Sequence, residues 1–412
     1  MTGALSSRTV PERQSVAASM SEDAVRQPLG VLLVYALAYV GGVIAYTPFL
    51  MLALPARVAE LAGPDDIRWL GYIVFAGAIA ASVAGVMAGW LSDRTRNRRI
   101  WVAGGLAATL VLMVTMTQCR TIEALLWLVA AWQLALNFML VPLIAWAGDF
   151  VPDRQKGLLG GLLSIAPALG AWSGIALAAN PVAEFGPRMF IIVAMASICV
   201  LSLLLFSPAS AAETERQAAA MPGEQGRAQP AVVRMWIARL LMQVSGAALA
   251  SYLYYWLREL DPAMTDGAKI LLFAGALSAS IGVALLLGRW TDRHGHGFAV
   301  LAGMAAVCAA SLIAMALAED PLAAKLAYLL FGVAGAVFLA LHASQTLRVL
   351  RDPSRRGTGI GLFNLTNTAP SLIMPWIAIS VVPAYGFDRL FLVLAILALC
   401  AAALLGTVPR NV

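Results

Sequence analysis

The residues best equipped for chemistry lie in one short stretch, Gly89-Trp-Leu-Ser-Asp93-Arg94-Thr-Arg96-Asn-Arg98-Arg99. One carboxylate and four guanidinium groups within seven positions can build ion pairs and charge-assisted hydrogen bonds. A near copy begins 199 positions later: Gly288-Arg-Trp-Thr-Asp292-Arg293-His-Gly295-His-Gly297. Both copies read Gly-x-x-[Ser/Thr]-Asp-Arg, and each sits between two long apolar runs. Two copies at matching places in one chain indicate an internal duplication.

A second set of reactive groups lies inside apolar runs. A charge at the centre of a bilayer costs at least about 2.5–3.5 kcal/mol, so an ionisable residue there needs a reason. His342 escapes the cost when neutral and can change protonation near physiological pH. Arg239 either snorkels to an interface near Arg234 or attracts an anionic group. Uncharged polar residues accompany these two. Tyr35, Tyr39, Gly42 and Tyr46 fall at i, i+4, i+7 and i+11, on one helix face. Gln133 and Asn137 are an i, i+4 pair. Gln243 and Tyr252 share a later run, His342 and Gln345 another, and Asn364 and Asn367 a third. Amides, phenols and aromatic faces suit a polyhydroxylated or mixed polar and aromatic solute. They equally suit hydrogen bonds between helices, worth about 0.6–2 kcal/mol. All 22 Asp and Glu lie in tails, loops or span ends, Asp149 among them.

The elements that must position these groups follow from composition. The chain has 412 residues, 61% hydrophobic and 12% charged, against the roughly 25% charge of a soluble domain. Its apolar runs are continuous and about 20 residues long, as helical membrane spans require. The expected fold is an all-α membrane protein of twelve spans: about 29–54, 67–91, 100–118, 122–148, 157–180, 188–207, 234–257, 268–288, 298–317, 323–347, 358–382 and 389–408. Residues 1–28 read as a cytoplasmic tail, 29–208 as one six-helix bundle, 209–233 as a polar linker and 234–412 as a second bundle. With both termini inside, the inner segments hold 19 of the 28 Lys and Arg, the outer ones eight, and Arg239 alone falls within a span. That is the positive-inside bias of a multi-pass inner-membrane protein.

The halves match again further on. Arg154-Gln-Lys156-Gly157 follows the fourth span and Ser354-Arg355-Arg356-Gly357 the tenth, each leading into a Gly-rich span that carries Ala-Pro. Other classes find little support. Cys119, Cys199, Cys308 and Cys400 show no metal or disulfide spacing. No phosphate-binding Gly-x-x-x-x-Gly-Lys-[Ser/Thr] occurs, and no clustered acid, base or metal set suggests an enzyme. Nucleic acid is not an expected partner; the lipid bilayer is.

Over nearly its whole length the chain resembles the major facilitator superfamily, whose loop signature is Gly-x-x-x-Asp-Arg-x-Gly-x-[Arg/Lys]-[Arg/Lys] between helices 2 and 3. The first copy supplies Gly89, Asp93, Arg94, Arg98 and Arg99, with Arg96 where the family has Gly. The second supplies Gly288, Asp292, Arg293 and Gly295 without the closing basic pair. The loop Ala147-Gly-Asp149-Phe-Val-Pro152-Asp-Arg154 is similar to that of sugar-transporting, glycoside–cation symporter-like branches. The resemblance implies two pseudo-symmetric six-helix bundles and a gating network of those motif residues with Asp149 and Arg154. It also implies a central site lined by helices 1, 4, 7 and 10. It further implies a monomeric secondary or facilitative transporter of a small organic solute, sugar-like or an organic anion, working by alternating access. No cofactor is implied beyond a coupling ion, H+ or Na+. A proton-linked exporter of amphipathic compounds is the alternative, and a transport-inactive receptor the alternative of another class.

Overall fold

The computed structural model of the chain describes residues 27–179, 184–206, 229–261, 264, 266–350, 352 and 354–408. Among them every regular element is helical. Helix α1 (Leu29–Pro48) continues through a π-turn (Phe49–Ala53) into α2 (Leu54–Ala62). Then come α3 (Asp66–Thr95), α4 (Arg98–Met116), α5 (Ile122–Phe150), α6 (Asp153–Leu163), α7 (Ile165–Ala179) and α8 (Phe185–Phe206). The second half holds α9 (Gln229–Leu260), α10 (Asp266–His294), α11 (Gly297–Ala316), α12 (Pro321–Val349) and α13 (Arg356–Gly406).

Local sequence explains most of the boundaries. Thr121, Asn97 and Asp320 cap α5, α4 and α12 by accepting from the N–H groups of Ala124, Ile100 and Ala323. Pro167 has no N–H to offer Leu163, and the fifth span is accordingly interrupted at Ser164, between α6 and α7. The linker expected at 209–233 ends early, because Gln229–Val233 already belong to α9; residues 209–228, like 1–26, lie outside the described residues.

Eleven described stretches are long and apolar enough to cross a membrane. Helix α13 has 51 residues; at about 1.5 Å per residue it is far longer than a hydrocarbon core of about 30 Å. Gly386, at φ 76° and ψ 176°, breaks it into two legs. The leg before Gly386 coincides with the span expected at 358–382.

The two motif turns are equally tight. Two residues, Arg96 and Asn97, join α3 to α4, and Gly295 and His296 join α10 to α11. Gly295 takes φ 70°, and Arg96 takes φ 50° in the same left-handed region. The arginine therefore keeps the glycine's geometry, at a conformational cost of about 1–2 kcal/mol.

Buried apolar side chains form two clusters. One is drawn from α1–α8, with Leu347 and Ile360 reaching in from the second half; the other comes from α9–α13. Large apolar residues also cover the outside, among them Trp127, Ile198, Leu205 and Leu286, as suits a surface solvated by lipid. The halves meet where α3 packs on α13 and α6 on α10. A Cβ on Gly89 would overlap the Gly357 carbonyl, and one on Gly288 the Gly157 carbonyl. Glycine at both crossings allows backbone-to-backbone approach.

Candidate functional site

Two groups of polar side chains bridge the halves. The first lies at the end of the bundle that carries the motif turns. Asp93, at the end of α3, reaches the first turn of α13. Its Oδ1 accepts from the Gly357 N–H (2.9 Å), and its Oδ2 accepts from the Thr358 N–H (2.7 Å) and hydroxyl (2.8 Å). Those N–H groups have no partner within their own helix, and the helix dipole favours an anion there. Arg98 pairs with Asp93 (2.6 Å) and with Asp149 (3.2 Å), and donates to the Ser92 hydroxyl (2.7 Å). Asp149 is paired in turn with Arg356 of α13. Asp93, Arg98, Asp149 and Arg356 thus alternate in sign, sum to zero, and are all buried or nearly so.

The duplicate motif repeats the arrangement with different cations. Asp292 accepts from the N–H groups of Gly157 and Leu158 in α6 (2.8 Å each) and pairs with Arg348 of α12. Lys156 donates to the Leu347 carbonyl (2.9 Å) and pairs with Asp153 (2.5 Å). The position matching Arg98 is Gly297, and Gln345 packs against it. Arg348 therefore serves Asp292 as Arg98 serves Asp93.

Two expected members of this group, Arg94 and Arg99, have partners elsewhere. Arg94 is exposed over the Trp90 ring, and Arg99 donates to the Leu204 carbonyl (2.6 Å). Arg154 and Arg293 are exposed. Arg356, Arg348 and Lys156, absent from the expected gating set, take the central places instead. The repeated Lys156-Gly157 and Arg356-Gly357 pairs were the signal for Lys156 and Arg356; Arg348 had none.

The second group lies midway along the spans. Arg239 of α9 points inward rather than to an interface, which removes the snorkelling alternative. Its Nε donates to the Thr366 hydroxyl (3.1 Å) and its Nη2 to the Asn367 side-chain oxygen (3.2 Å), while its Nη1 faces His342 Nδ1 (3.2 Å). His342 is fully buried, and its Nε2 lies 3.0 Å from the Met235 carbonyl. A carbonyl only accepts and a guanidinium only donates. His342 is therefore the neutral tautomer, with its proton on Nε2. Tyr39 is within electrostatic reach of Arg239, and Tyr46 of Tyr39. All three hydrogen-bonding partners of Arg239 are uncharged, and no carboxylate pairs with it among the described residues.

From Asn367 a run of amides crosses to the first half. Gln243 donates to the Asn367 oxygen (2.5 Å), Asn367 donates to Asn364 (3.0 Å), and Asn364 donates to Asn137 of α5 (2.8 Å). Ser82 of α3 and Thr368 of α13 form a second cross-half bond (2.6 Å). Gln133 is half-buried against Gly77 of α3, one turn from Asn137.

Two expected members of this group are placed elsewhere. Tyr35 lies on the expected face of α1 but at the level of the motif turns, in the core against Trp146 and Phe150. Gln345 sits at the same end, beside Gly297 and Arg348. The Tyr252 side chain lies outside the described residues.

Comparisons with known proteins agree with this architecture. The family model described as Major Facilitator Superfamily matches residues 29–343 and, in a second match, 235–411. A curated relative, "Multidrug resistance protein MdtG" of Enterobacter lignolyticus (strain SCF1), is 25% identical over 365 residues, 83% of each chain. Among solved structures, the human organic anion transporter MFSD10 (TETRAN) superposes with a TM-score of 0.77 at 16% identity, covering 92% of this chain and all of that one. The proton:xylose symporter XylE gives 0.70 at 11% identity, over 92% and 96% of the two chains. FucP, in the outward conformation, gives 0.66 at 15% identity, over 92% and 98%. At these identities the three structures speak for the fold.

Proposed function

This chain belongs to the major facilitator superfamily, and from that premise we propose that it carries a small organic anion across the membrane by alternating access, with Arg239 as the group that recognises the anion. The observation that carries this reading is the guanidinium of Arg239, held among neutral partners inside a span. A buried charge without a counter-charge is costly, and an anionic solute supplies the missing one. Bidentate geometry on carboxylate or phosphate is what a guanidinium does best. A sugar-like solute would be served by the amides alone and leaves Arg239 without a purpose. The printed function of the MFSD10 structure, organic anion transport, lends support by analogy.

In this reading the motif end is the cytoplasmic side, because the basic residues concentrate there. The two bundles, 29–208 and 234–412, rock about the central site, and the Asp93 and Asp292 clusters close the inner end. With that end closed, the exposed Asn367 faces the open side. His342 is the residue through which a proton would be coupled, since it can accept one on Nδ1 when an anion draws Arg239 away. Export of amphipathic compounds is a second reading, favoured by the multidrug relative; it uses the same site.

The test is flux in proteoliposomes with radiolabelled benzoate, succinate and a neutral hexose, for the wild type and Arg239→Gln. Loss of one charged hydrogen-bonding group, about 1.5–3 kcal/mol, lowers apparent anion affinity roughly 10- to 150-fold. A wild type that moves the hexose and neither anion, unchanged by Arg239→Gln, would refute the assignment.

A further inference from the structure

The amide run between Arg239 and Asn137 has a direction, and both of its ends are fixed by groups that cannot reverse. At one end the Arg239 guanidinium can only donate, so the oxygen of Asn367 must face it. At the other end the Asn137 side-chain nitrogen donates to the Gln133 backbone carbonyl (2.9 Å), which can only accept. The Asn137 oxygen must therefore face Asn364. Asn364 fits between them in a single orientation, accepting from Asn367 and donating to Asn137. Its amide lies in a slot over Gly85 of α3, where a Cβ would stand 2.9 Å from its nitrogen. Every bond in the run thus points from the cation of the second half toward the first half, and such chains strengthen cooperatively when a charge polarises one end.

We infer that Asn137, Asn364 and Asn367 form a polarised tie between the halves whose strength is set by Arg239, so that capture of an anion by Arg239 loosens it. The inference rests on the reading of Arg239 as the anion's partner. An anion competes with the Asn367 oxygen for the guanidinium. Once that donor turns away, the Asn367 oxygen keeps Gln243 alone, the polarisation of the run falls, and the Asn364–Asn137 bond across the halves weakens. Solute binding and release of a mid-membrane contact become one event. The three asparagines act as positioning residues; of the three, Asn367 alone touches Arg239.

The test needs no solute, so its failure is distinct from failure of the anion assignment. Spin labels are placed at Glu123→Cys on α5 and Leu322→Cys on α12, both exposed at the end away from the motif turns. The distance between them reports how often that end closes. Asn137→Leu removes the acceptor, and the closed population rises about fivefold, the equivalent of one net hydrogen bond. Asn137→Asp keeps an acceptor facing Asn364 whether ionised or protonated, and the closed population stays level or falls. A pure packing role would move both variants the same way, and that result overturns the tie. The second arm is Arg239→Gln in both backgrounds: it raises the closed population in the Asn137 parent and adds nothing to Asn137→Leu. Equal increments in the two backgrounds would likewise overturn it.

Discussion

Replacing Asp93 by Asn changes no volume and removes one charge, which makes it the cleanest probe of the motif end. The carboxylate accepts three hydrogen bonds from the first turn of α13 and pairs with Arg98 at 2.6 Å. An asparagine has one oxygen, so it keeps at most one side of this arrangement, and its NH2 then faces a donor. Breaking a buried pair costs about 3–5 kcal/mol when the partner is stranded. Arg98 is not fully stranded, because Asp149 remains beside it, and roughly 2–3 kcal/mol is the expected loss. At 1.4 kcal/mol per factor of ten, the equilibrium between motif-closed and motif-open forms moves by roughly 30- to 140-fold. Spin-label distances across the motif turns, measured in detergent and in nanodiscs, give that ratio directly, and flux in proteoliposomes falls with it. Asp292→Asn moves the ratio less, since its Arg348 pair is more exposed, at 16% and 9% against 4% and 5% for Arg98 and Asp93. Folded, membrane-inserted Asp93→Asn with an unchanged ratio would show that the buried charges do not hold the halves together.

Gly89→Ala forces α3 away from the Gly357 carbonyl and should depopulate the closed motif end. Gly104→Ala, with open space at its Cβ, should leave the distances unchanged. Arg96→Gly relieves a left-handed arginine at φ 50°, so the protein gains about 1 kcal/mol, read as a higher thermal unfolding midpoint. His342→Gln can still meet the Met235 carbonyl and Arg239 but cannot hold a proton; anion flux in this variant should lose its pH dependence between pH 5.5 and 8 while membrane insertion is unchanged.

Much of the motif end was legible along the chain because its signals are local. A carboxylate four positions after a glycine occurs twice, at Gly89 and Asp93 and at Gly288 and Asp292, and Lys156-Gly157 and Arg356-Gly357 repeat at nearly the same separation, 200 positions against 199. Partner choice was not local. Gly357 is 264 positions from Asp93 and Arg356 is 207 from Asp149, so nothing in the neighbourhood of either carboxylate names its partner in the other half. Arg98 was readable because it lies five residues away on the next helix, whereas Arg94 and Arg99, closer in kind than in direction, point elsewhere.

Hydropathy, duplication and charge bias are one-dimensional quantities, and the sequence by itself determined what depends on them: an all-helical membrane protein and a family. Side-chain partners depend on helix rotation and depth, which only packing decides. Tyr35 and Tyr39 share one face of α1, yet four residues of rise, about 6 Å, separate a core position from one within electrostatic reach of Arg239. Arg239 itself could be read as an interfacial or an inward charge until α9 was set against α12 and α13. The tertiary structure turned it inward, because Thr366, Asn367 and His342 offer it three acceptors in a place where lipid offers none.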